Sequence, residues 1–150
     1  KLADAARARA MSGEAERSAQ AVLARSDIVI SMVPGAPGLA PFLDARLLKP
    51  DAFASAVDIG RSWLPESFPA FDLLATDSLA QSKAPYDVNG QPVETAYFQT
   101  DLADLCLGNP LPLVGRRLFC FRGFALADLA LARLALRQAG DRGVGTALPR

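Results

Sequence analysis

Apolar residues in this chain gather into short runs separated by proline, glycine and polar stretches, and the period of each run predicts its element. In "SDIVISMV", Ile28, Val29, Ile30, Met32 and Val33 form an almost unbroken apolar stretch closed by Pro34 and Gly35. Such a run predicts a parallel strand covered on both faces. "AFASAVDIG" predicts a second strand ending at Asp58 and Gly60, and "FDLLAT" a third. Short helical stretches at 42–49, 64–70 and 78–83 alternate with these strands. That order is the one expected of βαβ units joined by right-handed crossovers.

Residues 2–10 and 15–25 are rich in Ala, Arg, Glu and Gln and predict two surface helices, broken at Ser12 and Gly13. The stretch 84–97, with its prolines and Asn89-Gly90, reads as a loop, and Leu102, Leu105 and Cys106 mark a short amphipathic helix. "FALADLALARLALRQAG" is apolar nearly all round. It predicts a helix sandwiched between packed layers, with Gly140 as its C-terminal cap and a frayed tail after it. Asp128, the acid early in that helix, reads as structural, favoured by the N-terminal dipole.

Composition narrows the chemistry. The 150 residues carry 16 basic and 16 acidic side chains, 51% hydrophobic residues and no histidine. Balanced, mixed charge gives no basic field for nucleic acid or an anionic membrane. The lack of histidine removes Ser/His/Asp and Cys/His catalysis and His-linked metal sites, so no metal centre is expected. Cys106 and Cys120 lack Cys-x-x-Cys spacing and no signal segment precedes them. They read as free thiols of a reducing, cytoplasmic setting. The longest apolar stretch contains Asp128, Arg133 and Arg137 and is too short to span a bilayer. Lys1 stands within helix-like sequence with no capping residue before it, which is read as a fragment lacking an N-terminal part. Gly143 and Gly145 follow the last helix and form no Gly-x-Gly-x-x-Gly turn.

Three stretches taken together resemble the ornithine cyclodeaminase and mu-crystallin family. They are "ARSDIVISMVPGAPGLAPFLDARLLKPDAFASAVDIG", "FDLLATDSLAQSKA" and "LFCFRGFALADLALARLALRQAGDRGVG", in that order over roughly Ser18 to Gly145. The resemblance implies an α/β fold: a partial Rossmann-type parallel sheet with flanking helices and a long apolar C-terminal helix. Residues 1–107 would be an incomplete dinucleotide-binding domain, and 108–150 a linker, helix and tail packing back on the same unit. It implies NAD or NADP as cofactor, an amino acid or its imine as substrate, and a homodimer for the full-length protein, with neither a nucleic-acid nor a membrane partner.

Carried over by position, Ser31, Met32, Val33, Pro34, Val57, Asp58, Ile59, Gly60, Arg122 and Gly123 would border the cofactor. Asp58 is also the candidate general acid or base, against a second reading as a strand-ending Asp that binds turn amides. The family's acid falls on Gly60 in an ungapped match, two residues or about 7 Å along a strand from Asp58. Its late lysine falls on Cys120. Arg61 and Arg122 are candidates for a carboxylate, against a reading as solvent-facing arginines, and Trp63 for the pocket lining, against one as a packing residue. The expected function is an NAD(P)-dependent oxidoreductase of which this chain is a fragment, inactive alone. The alternatives are a non-catalytic, mu-crystallin-like binding protein and a helical interaction module built on residues 124–139.

Overall fold

The computed structural model describes residues 2–36, 38–82, 98–108, 111, 114–123 and 125–146. The loop expected at 84–97 and the last four residues of the tail lie outside them. Two helices come first, α1 (Leu2–Arg7) and α2 (Ala19–Arg25). The Ser18 side chain caps α2 by accepting from the Ala21 amide at 3.2 Å, which satisfies one of the donors left open by the first turn. Leu23 is the buried residue of α2.

Strands β1 (Ile28–Ser31), β2 (Phe53–Ala56), β3 (Leu73–Thr76), β4 (Thr100–Asp101) and β5 (Arg117–Cys120) form one sheet in the order β1-β2-β5-β3-β4, with every pairing parallel. Three of these strands are the three that the apolar runs predict. β5, which comes last in the chain, inserts between β2 and β3. The intervening stretches are tighter than the expected α-helices. Ala45–Leu47 and Pro65–Ala70 are 3-10 turns, the latter holding Pro65 and Pro69, residues that suit helix starts and short turns better than helix interiors. α3 (Leu79–Ser82) and α4 (Leu102–Cys106) are short α-helices.

The register places Val29, Ala54, Leu118 and Leu74 in one row across four strands, all buried. They join Leu23, Leu43, Trp63, Phe68 and Phe71 in the core cluster. The opposite face is graded. Leu73 and Ala75 of β3 are buried and Phe119 of β5 half-buried, while Ile28 and Ile30 of β1 are exposed. The expectation that β1 is covered on both faces therefore fails: its burial alternates, as in a strand packed on one side. β1 is also the sheet edge. The Phe53 amide bonds to the Asp27 carbonyl and the Val57 amide to Ser31. Those bonds use the backbone groups of odd-numbered residues and leave those of Ile28 and Ile30 facing outward.

A second correction concerns the long C-terminal helix, α5 (Ala125–Asp141), which has no buried residue. It does not act as core among the described residues, whereas β5, from the same stretch 108–150, lies inside the sheet. Its stop also differs. Gly140 lies inside the helix; Gly143, with φ +61°, ends it as Val144 bonds back to Ala139 and Gly143 to Gly140. This is the paired closure of a Schellman cap.

Candidate functional site

Because all strands are parallel, their carboxyl ends share one rim, the side on which open α/β sheets place their ligands. Two buried carboxylates stitch that rim together. Asp58, just past β2, accepts from Ser31 Oγ at 3.1 Å, the Val33 amide at 3.3 Å, the Gly60 amide at 3.2 Å and Ser62 Oγ. Trp63 Nε1 donates to Ser31 Oγ at 3.1 Å, so the indole joins the same network. Asp77, just past β3, accepts from the Ser78 amide at 3.1 Å, the Arg122 amide at 3.0 Å and Thr76 Oγ1 at 3.0 Å. Asp58 thus fastens β2 to β1, and Asp77 fastens β3 to β5.

The positions singled out by sequence all fall on this rim. Ser31 to Pro34 and Val57 to Gly60 are brought together at the β1–β2 ends. Arg122 and Gly123 follow β5, the next strand along, where the Phe121 amide bonds to the Ala56 carbonyl at 2.9 Å. Their roles diverge. Ser31, Asp58 and Gly60 are buried and spend their polar groups on each other. Met32 and Val57, neighbours across the two strands, are 69% and 45% exposed. The Arg122 guanidinium lies over the Phe98 ring, 5.4 Å from its centroid, within cation–π range.

Asp58 is placed as a structural acceptor. Four donors, from Ser31, Val33, Gly60 and Ser62, are directed at its two oxygens, which occupies the lone pairs that a general base would use. Of its two readings, the geometry is that of an Asp that ends a strand and binds turn amides. The turn it holds is strained: Ile59 has φ +68° and Gly60 φ +80°. A β-branched residue in that region is an outlier that surrounding structure must enforce. At Gly60 a side chain is disfavoured by the positive φ and crowded by Cys120 Sγ, which would lie 3.1 Å from a Cβ.

Trp63 takes its packing role, 1% exposed and edge-on to Phe71 at 5.4 Å between ring centroids. Cys120 is buried and Cys106 exposed, and neither is in a disulfide. At the β4 end of the rim Asp101 accepts from the amides of Leu79, Ala103 and Asp104. The bond from Leu79, then those from Asp104 and Ala103, hold its carboxyl below the ordinary aspartate range. Sequence reasoning missed Asp77 and Asp101 as rim residues. The available signal was an Asp closing an apolar or β-like run, as at Asp58. Among the described residues no group of three or more Cys, Asp or Glu gathers to hold a metal.

The class this arrangement defines is an α/β fold with a five-stranded parallel sheet and flanking helices. No protein-family model matches the chain, and a comparison with curated proteins gives no match. Among solved structures the chain is similar to CmnK, with a TM-score of 0.70 and 21% identity over 96% of this chain and 46% of that one. At that identity the likeness shows the fold alone, and the chain spans less than half the length of that structure. Among the described residues no helix is long and apolar enough to cross a membrane.

Proposed function

We propose that this chain is part of an NAD(P)-dependent oxidoreductase acting on an amino acid or its imine, built on a Rossmann-type sheet. The observation that carries the reading is the β1–β2 rim, where Asp58 draws two parallel strand ends together beneath exposed, apolar Met32 and Val57. The residues there fit the nicotinamide end of a dinucleotide. Exposed apolar side chains suit a flat ring, and the buried network beneath them fixes the strand ends against which it would lie. A bound nicotinamide would donate or accept the hydride. Val57 and Met32 would shield that ring from water, and Ser31, Asp58, Ser62 and Trp63 would keep the strand ends in register. The outward-facing backbone of Ile28 and Ile30 and their exposed side chains suit a further parallel strand with a covering helix, which would carry the remainder of the cofactor site.

A second reading, a non-catalytic binding protein on the same scaffold, has one observation in its favour. The two acids that close β2 and β3, Asp58 and Asp77, are each engaged by several donors. Cofactor binding is common to both readings, and turnover separates them.

The test is a titration of the chain with NADH and with NADPH, followed by amide chemical shifts. The amides of Val33, Val57, Gly60 and Gly123 are expected to move together on one saturating curve. No movement up to about 10 mM, where a site worth only ~3 kcal/mol would be half filled, would remove the reading.

A further inference from the structure

Arg61 is an exposed cation on the rim. It follows the left-handed pair Ile59 and Gly60, and its side chain folds back so that Nε donates to the Asp58 carbonyl at 2.8 Å. The guanidinium then reaches across from the end of β2 to the loop after β1. A Cβ at Gly35 would lie 1.9 Å from Arg61 Nη1 and 3.2 Å from Cζ, so the fork lies directly against that loop. Arg7, Arg25, Arg46 and Lys49 each meet a carboxylate. Among the described residues Arg61 meets none, because the adjacent acid, Asp58, is committed to Ser31, Val33, Gly60 and Ser62. Arg61 is exposed and anchored through Nε alone, and among the described residues its two terminal nitrogens have no acceptor.

We propose that Arg61 receives the carboxylate of a small 2-oxo, imino or amino acid at the β1–β2 rim. A guanidinium fork matches a planar carboxylate through two parallel hydrogen bonds. One cation matches a monoanion, whereas sites for phosphate add a run of backbone amides or a helix N-terminus; no α-helix begins beside Arg61 among the described residues, and Pro34 and Pro37 remove two amides from the sequence around Gly35. Met32 and Val57, exposed on the same rim, suit a short carbon chain better than a hydrated phosphate. The substrate class rests on the oxidoreductase reading; the site rests on Arg61 and Gly35.

The experiment follows arginine Nε–H signals of the chain during titration with pyruvate, and separately with inorganic phosphate and ADP-ribose. The exposed Arg9 and Arg17 serve as internal controls. The Arg61 signal is expected to saturate with pyruvate at about one-tenth of the concentration that moves the controls, as a fixed fork should. Arg61→Lys should remove the saturable response from the Gly35 and Val57 amides while the thermal midpoint stays in place. If that variant misfolds, the wild-type titration decides alone. Equal responses at all three arginines would overturn the proposal, and so would saturation by phosphate or ADP-ribose without pyruvate. The pyruvate arm contains no nucleotide, so a failure of cofactor binding would sink the oxidoreductase reading without deciding this one.

Discussion

Strand β3 and helix α5 are both built from nearly continuous apolar sequence, yet all four residues of β3 are buried and none of α5 is. The difference begins with the backbone. A strand exists only where neighbours accept its hydrogen bonds, and β3 has β5 on one side and β4 on the other. Forming β3 therefore already places it inside the sheet. A helix bonds to itself, so α5 persists with Leu126, Leu129, Leu131, Leu134 and Leu136 facing solvent. An apolar helix needs cover but does not dictate which surface supplies it. β1 stands between these cases, with β2 on one edge and one face open.

The largest loss of stability is expected on the buried side. Trp63 fills the core under the β1–β2 ends and donates to Ser31 Oγ. Trp63→Ala is expected to destabilise the chain by about 3–5 kcal/mol, the range for large aromatic truncations in cores, read from urea unfolding followed by circular dichroism. The variant also leaves Ser31 with one partner fewer, so the rim should loosen along with the core. A loss below ~1 kcal/mol would show that the buried cluster is not what holds the sheet.

How much of this was legible beforehand follows the same division between local and non-local causes. Val29 in its apolar run, Ala54 to Ala56 and Leu73 to Ala75 announced three strands because side-chain chemistry and turn residues are local. β5 did not announce itself. Arg116 and Arg117 precede Leu118, Phe121 and Arg122 follow Cys120, and its place between β2 and β3 depends on pairing with residues more than 40 positions away. The rim positions were found by resemblance, but their division of labour was not. Whether Asp58 is a free base or a saturated acceptor depends on Ser31 and Val33, more than 20 residues upstream. Arg61 was visible as a cation and not as one that reaches Gly35. The α5 helix was legible as a helix, and its burial was not, because burial is a property of two surfaces.

A smaller test lies at the margin of the sheet, where Asp101 closes β4 and caps α4 with bonds to Ala103 and Asp104. Its folded-state carboxyl is held below the ordinary range, chiefly by the Leu79 amide. The unfolded chain therefore binds this proton more readily. The stabilisation is fully present above the ordinary aspartate range and is lost as pH falls through the lowered folded value. Asp101→Ala is expected to cost about 1 kcal/mol at neutral pH, the usual worth of a cap. Its deficit relative to the parent should shrink on acidification below about pH 4. Parallel unfolding curves at neutral and acid pH check this, and a deficit that grows toward acid would mean that folding raises rather than lowers this carboxyl's proton affinity.

The least effect should come from α5. Leu129 and Leu136 are 64% and 76% exposed, so truncating them removes little buried area from this chain. Leu129→Ala and Leu136→Ala are each expected to change unfolding stability by less than about 0.5 kcal/mol, the range for surface substitutions, with helix propensity unchanged or improved. The measurement also discriminates. If either variant costs about 2 kcal/mol or more, its leucine is buried in solution and α5 has found cover. Repeating the unfolding at several protein concentrations then separates cover within one chain from cover by a second, since only the latter makes stability depend on concentration.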